Sequence, residues 1–158
     1  MARFEPPFGD TTTPFWEATK DKKFLVQRCG ACDKPIFYPR EVCPTCLSSD
    51  SLEWRESTGK GTVYAVSVQH RPANPTMADR VPYVVALVEL DDGIRVMSNV
   101  IGCDPGDVAI GDAVRVTWEE LSDGRNLPQF EPARVGGGGA APDVAPRAAA
   151  DLSRDKHS

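Results

Sequence analysis

Four of the five cysteines in this 158-residue chain form two pairs, Cys29-Gly30-Ala31-Cys32 and, ten residues on, Cys43-Pro44-Thr45-Cys46. Two residues between thiols bring both sulfurs of one tight turn to a common side, and a second such knuckle completes a tetrahedron. Zn²⁺ takes that arrangement with four thiolates at about 2.3 Å. Two disulfides are the competing use of the same residues, but in a reducing compartment this spacing favours metal. A catalytic zinc keeps one position open for water, whereas four thiolates fill the shell. The expected role of Cys29, Cys32, Cys43 and Cys46 is therefore a structural zinc site. Iron is the minor alternative, because Asp33 and Leu47 stand where rubredoxin knuckles carry Gly after the second cysteine.

The remaining chemistry is sparse, and no catalytic residue is assigned. Cys103 lies outside the cluster at a strand end, where a thiol more often fills space than attacks a substrate. The histidines are His70 and His157, so any Ser–His or Cys–His pair in the ordered part has to use His70. There is no Gly-x-Ser-x-Gly elbow and no phosphate loop. The connection Gln69–Pro82 is longer than its flanking strands require, and such loops often carry function. Its Arg71 and Arg80 are candidates to meet a phosphate or carboxylate, against the alternative that they pair with local acids on a solvated loop.

The elements that must position these groups are short. Residues 1–12 read as an irregular arm. Thr13 as cap and Pro14 in the first turn predict a helix over 14–21, giving a helical arm over residues 1–23. Two turns cannot stand alone, so Phe15 and Trp16 must pack on this chain or on a partner. Strands at 24–28, 35–39 and 52–56 alternate with the knuckles, the layout of a zinc ribbon over 24–57. Fewer than 40 residues make too small a core, so metal must supply much of the folding free energy. Five further strands, at 62–68, 83–90, 94–101, 113–121 and about 127–132, follow over 58–135. Asp91-Asp92-Gly93 is a tight hairpin turn, and the near-continuous apolar run 83–90 reads as a strand buried on both sides. The class is mainly β, and five short strands predict a small closed barrel of OB type, with an SH3-like barrel or sandwich equally compatible by spacing. From Gly136 the chain turns to Gly, Ala and Pro without aromatics, so 136–158 is expected to be a disordered tail or linker.

Composition narrows the partners. Charged residues make up 26% and hydrophobic ones 41%, a soluble globular balance. No stretch approaches the ~20 apolar residues of a membrane span, and the N-terminus lacks the apolar core of a secretory signal. A cytoplasmic location is expected. The net charge is −5, and residues 57–135 hold 11 acidic against 7 basic side chains. Polynucleotide binding leans on a basic surface, so the balance weighs against it. Single-stranded nucleic-acid binding through Tyr64, Tyr83 and Trp118 stays as the alternative function, since zinc ribbons and OB-folds both serve it.

The order of parts resembles a family of zinc-ribbon plus OB-fold proteins long catalogued as a domain of unknown function. The resemblance rests on Pro14-Phe15-Trp16-Glu17-Ala18, Arg28-Cys29 through Cys46, Gly61-Thr62-Val63-Tyr64, Val81-Pro82-Tyr83-Val84 and Gly111-Asp112, across roughly residues 12–135. It implies a rubredoxin-like ribbon bearing Zn²⁺ on the four cysteines, followed by a five-stranded OB-fold. It further implies a non-catalytic partner of thiolase-superfamily enzymes acting on acyl-CoA, whether thiolases or aldolases that shorten steroid side chains. A heterotetramer with a shared CoA channel is the expected assembly. On this reading Phe15 and Trp16 anchor the interface, and Arg71 or Arg80 contacts CoA phosphates.

Overall fold

The computed structural model describes residues 5–133. A single turn of 3₁₀ helix at Asp10–Thr12 leads into helix α1, Thr13–Lys20. The Thr12 and Thr13 hydroxyls both donate to the Gly9 carbonyl at 3.1 Å, so neither caps a helix N–H. The helix thus starts one residue earlier than a Thr13 cap implies.

Three antiparallel strands form the ribbon, β1 (Leu25–Cys29), β2 (Pro35–Ile36) and β3 (Leu52–Glu56), in the order β2-β1-β3. The second strand is shorter than the 35–39 run predicts. After Ile36 the chain bends, and Phe37 turns to the core to pack on Phe24 at 5.8 Å between ring centroids. Aromatic packing there wins over ladder hydrogen bonding.

The other five strands are β4 (Lys60–Gln69), β5 (Tyr83–Leu90), β6 (Arg95–Val100), β7 (Ala113–Glu120) and β8 (Asn126–Pro132). They close in the order β4-β5-β6-β8-β7, with β4 returning to β7, the five-stranded OB-fold barrel. The expected burial of β5 on both faces is corrected by its alternation. Val84, Ala86, Val88 and Leu90 are buried, whereas Tyr83, Val85 and Leu87 are half-exposed. A closed barrel has one inside, so a run of apolar residues leaves every second one on the outer wall.

One seam of the barrel is thin. Strands β6 and β8 run parallel and share one register pair, Val100 with Phe130, beside the Ile101 N–H donating to the Phe130 carbonyl at 2.8 Å. Backbone groups alternate sides along a strand, so Pro128 turns its nitrogen to the same side as Phe130. That nitrogen carries no hydrogen and cannot extend the ladder. The Ser98 hydroxyl instead donates to the Pro128 carbonyl at 2.8 Å.

Ribbon, helix and barrel share one core. Phe15 of α1 and Phe24 and Val26 of the ribbon lie in the same buried cluster as Val63, Val84, Val88 and Phe130 of the barrel. Thr19 and Asn126 latch the helix to β8: the Asn126 side-chain amide donates to the Thr19 carbonyl at 2.8 Å, and its backbone N–H to the Thr19 hydroxyl at 3.2 Å. The first turn of β4 has no room for a side chain. A Cβ at Gly61 would sit 2.4 Å from the Glu89 carbonyl oxygen. Gly61→Ala therefore forces β4 and β5 apart and is expected to cost ~1–3 kcal/mol, read as a lower midpoint in chemical denaturation.

Candidate metal centre

The two knuckles repeat one backbone pattern. The Cys29 N–H donates to the Lys34 carbonyl at 3.0 Å and the Asp33 N–H to the Cys29 carbonyl at 2.8 Å. In the second knuckle the Cys43 N–H donates to Ser48 at 2.9 Å and the Leu47 N–H to Cys43 at 3.0 Å. Closing each turn puts the residue after the second cysteine in the left-handed region, Asp33 at φ 56° and Leu47 at φ 62°. This is why glycine suits that place; here a left-handed non-glycine residue costs about 1–2 kcal/mol.

The four sulfurs lie within 4.8 Å of one another. Cys29 and Cys46 Sγ are 3.6 Å apart, and Cys32 and Cys43 Sγ are 3.7 Å apart. A disulfide needs about 2.05 Å, whereas a tetrahedron with ~2.3 Å metal–sulfur bonds has edges of about 3.8 Å. The donor set fits a zinc ion with no further ligand. Zn²⁺ bound there supplies structural free energy and neutralises part of the thiolate charge.

Backbone polarity prepares the site. The Cys32 N–H aimed at the Cys29 sulfur, helped by the Ala31 N–H against the opposing effect of burial, brings the Cys29 thiol down to about 6. The Cys46 N–H lowers Cys43 in the same way. Burial pushes Cys32 up to about 12. At Cys46 the Ser48 N–H pulls downward, but burial and the Cys29 and Cys43 sulfurs outweigh it and raise the thiol. Cys29 therefore loses its proton more easily than Cys32, and Cys43 more easily than Cys46.

The other sequence candidates fall elsewhere. Phe15 is buried against Phe24 and Phe37, at 5.4 and 6.1 Å between ring centroids, so it faces its own chain. Trp16 is half-buried, with the Arg125 guanidinium 4.9 Å from its ring centroid. Arg80 pairs with Glu119 at 2.8 Å, which ties the Gln69–Pro82 connection to β7. That loop holds a 3₁₀ helix, Pro75–Arg80, with Met77 buried beneath it. Arg71 and His70 are exposed, and Arg71 has no ion pair among the described residues. Arg80 is thus engaged within the chain, whereas Arg71 stays exposed. Burial leads in raising the Cys103 thiol, with Asp107, Asp104 and Asp112 adding to it, so it stays protonated and weakly nucleophilic. Of the proposed stacking faces, Trp118 packs on the core and Tyr64 lies under Arg95, 3.5 Å from ring centroid to guanidinium.

An apolar groove escaped sequence reading. It has a volume of about 290 Å³ and lies between α1, the Phe37–Pro39 bend of the ribbon, β6 and β8. Tyr38 and Met97 stand at its walls, 54% and 62% exposed. The signal available beforehand was the aromatic run Phe37-Tyr38 beyond the end of β2.

A four-thiolate ribbon fused to a closed five-stranded barrel defines the class, a zinc-ribbon plus OB-fold protein. The ChsH2 rubredoxin-like zinc ribbon domain matches residues 16–53 and the ChsH2 C-terminal OB-fold domain residues 54–119. The chain belongs to this ChsH2/DUF35 family. A DUF35 domain-containing scaffold protein of Methanocaldococcus jannaschii is 34% identical over 109 residues, 68% of this chain and 77% of that one. A probable enoyl-CoA hydratase alpha subunit of Thermomonospora curvata is 42% identical over 120 residues, 75% of this chain. The match spans 37% of that relative's length. Among solved structures, a chain of an Ltp2-ChsH2(DUF35) aldolase superposes with a TM-score of 0.73 at 37% identity, over 82% of this chain and 99% of that one.

Zinc binding at neutral pH has to expel the protons that Cys32 and Cys46 keep, so affinity falls as pH falls. Acidification or a strong chelator is expected to release the metal and unfold residues 25–56, with a matching loss of amide protection there. Cys43→Ser should purify with far less than one zinc per chain by elemental analysis.

Proposed function

We propose that this chain is a non-catalytic zinc-ribbon/OB-fold scaffold subunit that stabilises and completes an acyl-CoA enzyme of the thiolase superfamily. The observation that carries the reading is the likeness to a chain of the Ltp2-ChsH2(DUF35) aldolase, which extends over 99% of that chain. Two relatives named as hydratase alpha subunits, one for an enoyl-CoA and one for 3-oxo-4,17-pregnadiene-20-carboxyl-CoA, support acyl-CoA as the substrate class. Methanogen relatives named as scaffold proteins support a role in holding another protein.

The site chemistry agrees with that division of labour. A filled thiolate shell leaves no open coordination position, and Cys103 is held protonated. Carbon–carbon bond cleavage or acyl transfer would then take place on the partner, whose residues supply the base and nucleophile. The thiolase superfamily as the partner's class, and a heterotetramer as the assembly, rest on the family resemblance. Contact with CoA phosphate falls to Arg71 rather than Arg80, because Glu119 already engages the Arg80 guanidinium.

Co-expression with the genes beside its own tests the reading. The tagged chain is expected to retain a thiolase-like protein through size-exclusion chromatography. The partner should be less soluble when expressed without it, and acyl-CoA turnover should require the pair. Retention of no such protein would remove the proposal. Arg71→Ala is expected to raise KM for the CoA thioester about three- to tenfold, the effect of losing one charge-assisted contact, with kcat little changed.

A further inference from the structure

The four cysteines of the metal centre are not equally open to solvent. Cys29 and Cys43 are fully buried, Cys32 is half-buried, and Cys46 is exposed. The first knuckle is backed by the residue that precedes β3. There the Gly30 N–H donates to the Ser51 carbonyl at 2.6 Å, and the Ser51 hydroxyl lies 3.9 Å from the Cys29 sulfur. The second knuckle has its turn in solvent, with Pro44, Thr45, Cys46 and Leu47 an unbroken exposed run. Residues 41–50 include Glu41 and Asp50 but no lysine or arginine, so that segment offers its thiolates no cationic side chain.

The buried sulfurs are also damped by the backbone. The Cys32 and Ala31 N–H groups bond to the Cys29 sulfur, and the Cys46 and Thr45 N–H groups to the Cys43 sulfur. A hydrogen bond to a thiolate engages the lone pair that would otherwise attack an electrophile. Cys46 is therefore the sulfur that a dissolved oxidant meets. It also has a partner within reach, since Cys29 Sγ lies 3.6 Å away on the other knuckle. A disulfide at about 2.05 Å requires the two to close by about 1.5 Å. Because the pair takes one ligand from each knuckle, bridging it dismantles the tetrahedron at both ends.

We propose that Cys46 is a peroxide-sensitive site whose oxidation, completed by Cys29, releases the metal and opens the ribbon. The Cys46 thiolate attacks an oxygen of a hydroperoxide. An S–O bond forms, the O–O bond breaks, and the departing alkoxide or hydroxide takes a proton from water. Sulfur loses two electrons and the peroxide gains them, which leaves Cys46 as a sulfenic acid. The Cys29 thiolate then attacks the Cys46 sulfur. The S–S bond forms as the S–OH bond breaks, and the departing hydroxide is protonated to water. Neither sulfur of the bridge keeps the thiolate charge that binds Zn²⁺. The ribbon then loses the binding free energy that compensates for its small core, and a dithiol reductant with added Zn²⁺ reverses the change. This site belongs to the chain by itself and does not depend on the scaffold reading.

The test uses the full zinc-loaded chain and hydrogen peroxide. Zinc release is followed with a colorimetric chelator, while remaining thiols are alkylated at early times and mapped by peptide mass spectrometry. The expected first product is a Cys29–Cys46 bridge, formed in step with zinc release and with loss of amide protection over residues 25–56. Dimedone added with the peroxide should trap Cys46 before any other cysteine. First oxidation at Cys29, Cys32, Cys43 or Cys103 would overturn the inference. A bridge from Cys46 to Cys32 or Cys43 would do the same, as would zinc retained while Cys46 oxidises. Cys46→His keeps a three-cysteine, one-histidine donor set and should hold its zinc in peroxide at least about tenfold longer, because the exposed sulfur is gone. Release as fast as from the unaltered chain would contradict the proposal, and the peptide map of the unaltered chain decides even where the variant does not load zinc. Cys103→Ala should release zinc at the unaltered rate; a slower release would put the sensitive thiol at Cys103 and overturn the assignment.

Discussion

The shape of this chain depends on four sulfur atoms held within 4.8 Å. The ribbon's own buried cluster consists of Cys29, Ile36 and Cys43, with Cys32 and Leu52 packed at its edge. Burying so few side chains cannot offset the ordering of some thirty residues. Metal binding has to make up the difference, and the knuckle N–H groups aimed at Cys29 and Cys43 prepare two of the four ligands for it. Closing the turns places Asp33 and Leu47 in the left-handed region, and Leu47 stays 76% exposed while doing so. The backbone accepts that strain because the sulfur geometry requires it.

From the knuckles the constraint passes into the barrel through aromatic residues. Phe24, just before β1, and Val26 within it enter the common core, and Phe37 returns from the end of β2 to stack on Phe24. Phe15 completes the cluster from the helix, 5.2 Å from Trp16 between ring centroids. The N-terminal arm is fastened over the same region. Arg125, buried beside Asp123, donates to the Pro6 carbonyl at 3.0 Å and lies 4.5 Å from the Phe8 ring centroid. Glu5 accepts from both the Ser122 N–H and its hydroxyl, at 2.7 and 2.8 Å. Ribbon and barrel thus form one packed unit, and the groove between them takes its outline from both.

Much of this was legible in the chain. The four ligands followed from spacing, and the five barrel strands from alternation and from Asp-Gly and Gly-Asp turns, with ends within two residues or so of those observed. What escaped depended on pairing between distant segments. The run Tyr83–Leu90 carries no mark of whether a strand sits between two layers or in a barrel wall, because both burials read as apolar. Phe15 and Trp16 are neighbours of similar character, yet helix geometry turns one into the core and leaves the other at the groove. Arg80 reads as a free cation until β7 brings Glu119 beside it. The seam at Pro128 was equally hidden, since a proline marks an edge only once the strand facing it is known. The expected tail at 136–158 lies outside the described residues.

In the proposed scaffold role the metal is a structural staple and the partner the seat of chemistry, with the face between ribbon and barrel as the connection. The most direct measurement is partner binding as a function of zinc content. The purified complex would be dialysed against graded chelator, and the bound fraction and the zinc in each sample determined together. Partner binding is expected to fall in proportion to zinc lost and to return when Zn²⁺ is restored. A zinc-free chain that still holds its partner with full affinity would contradict the account.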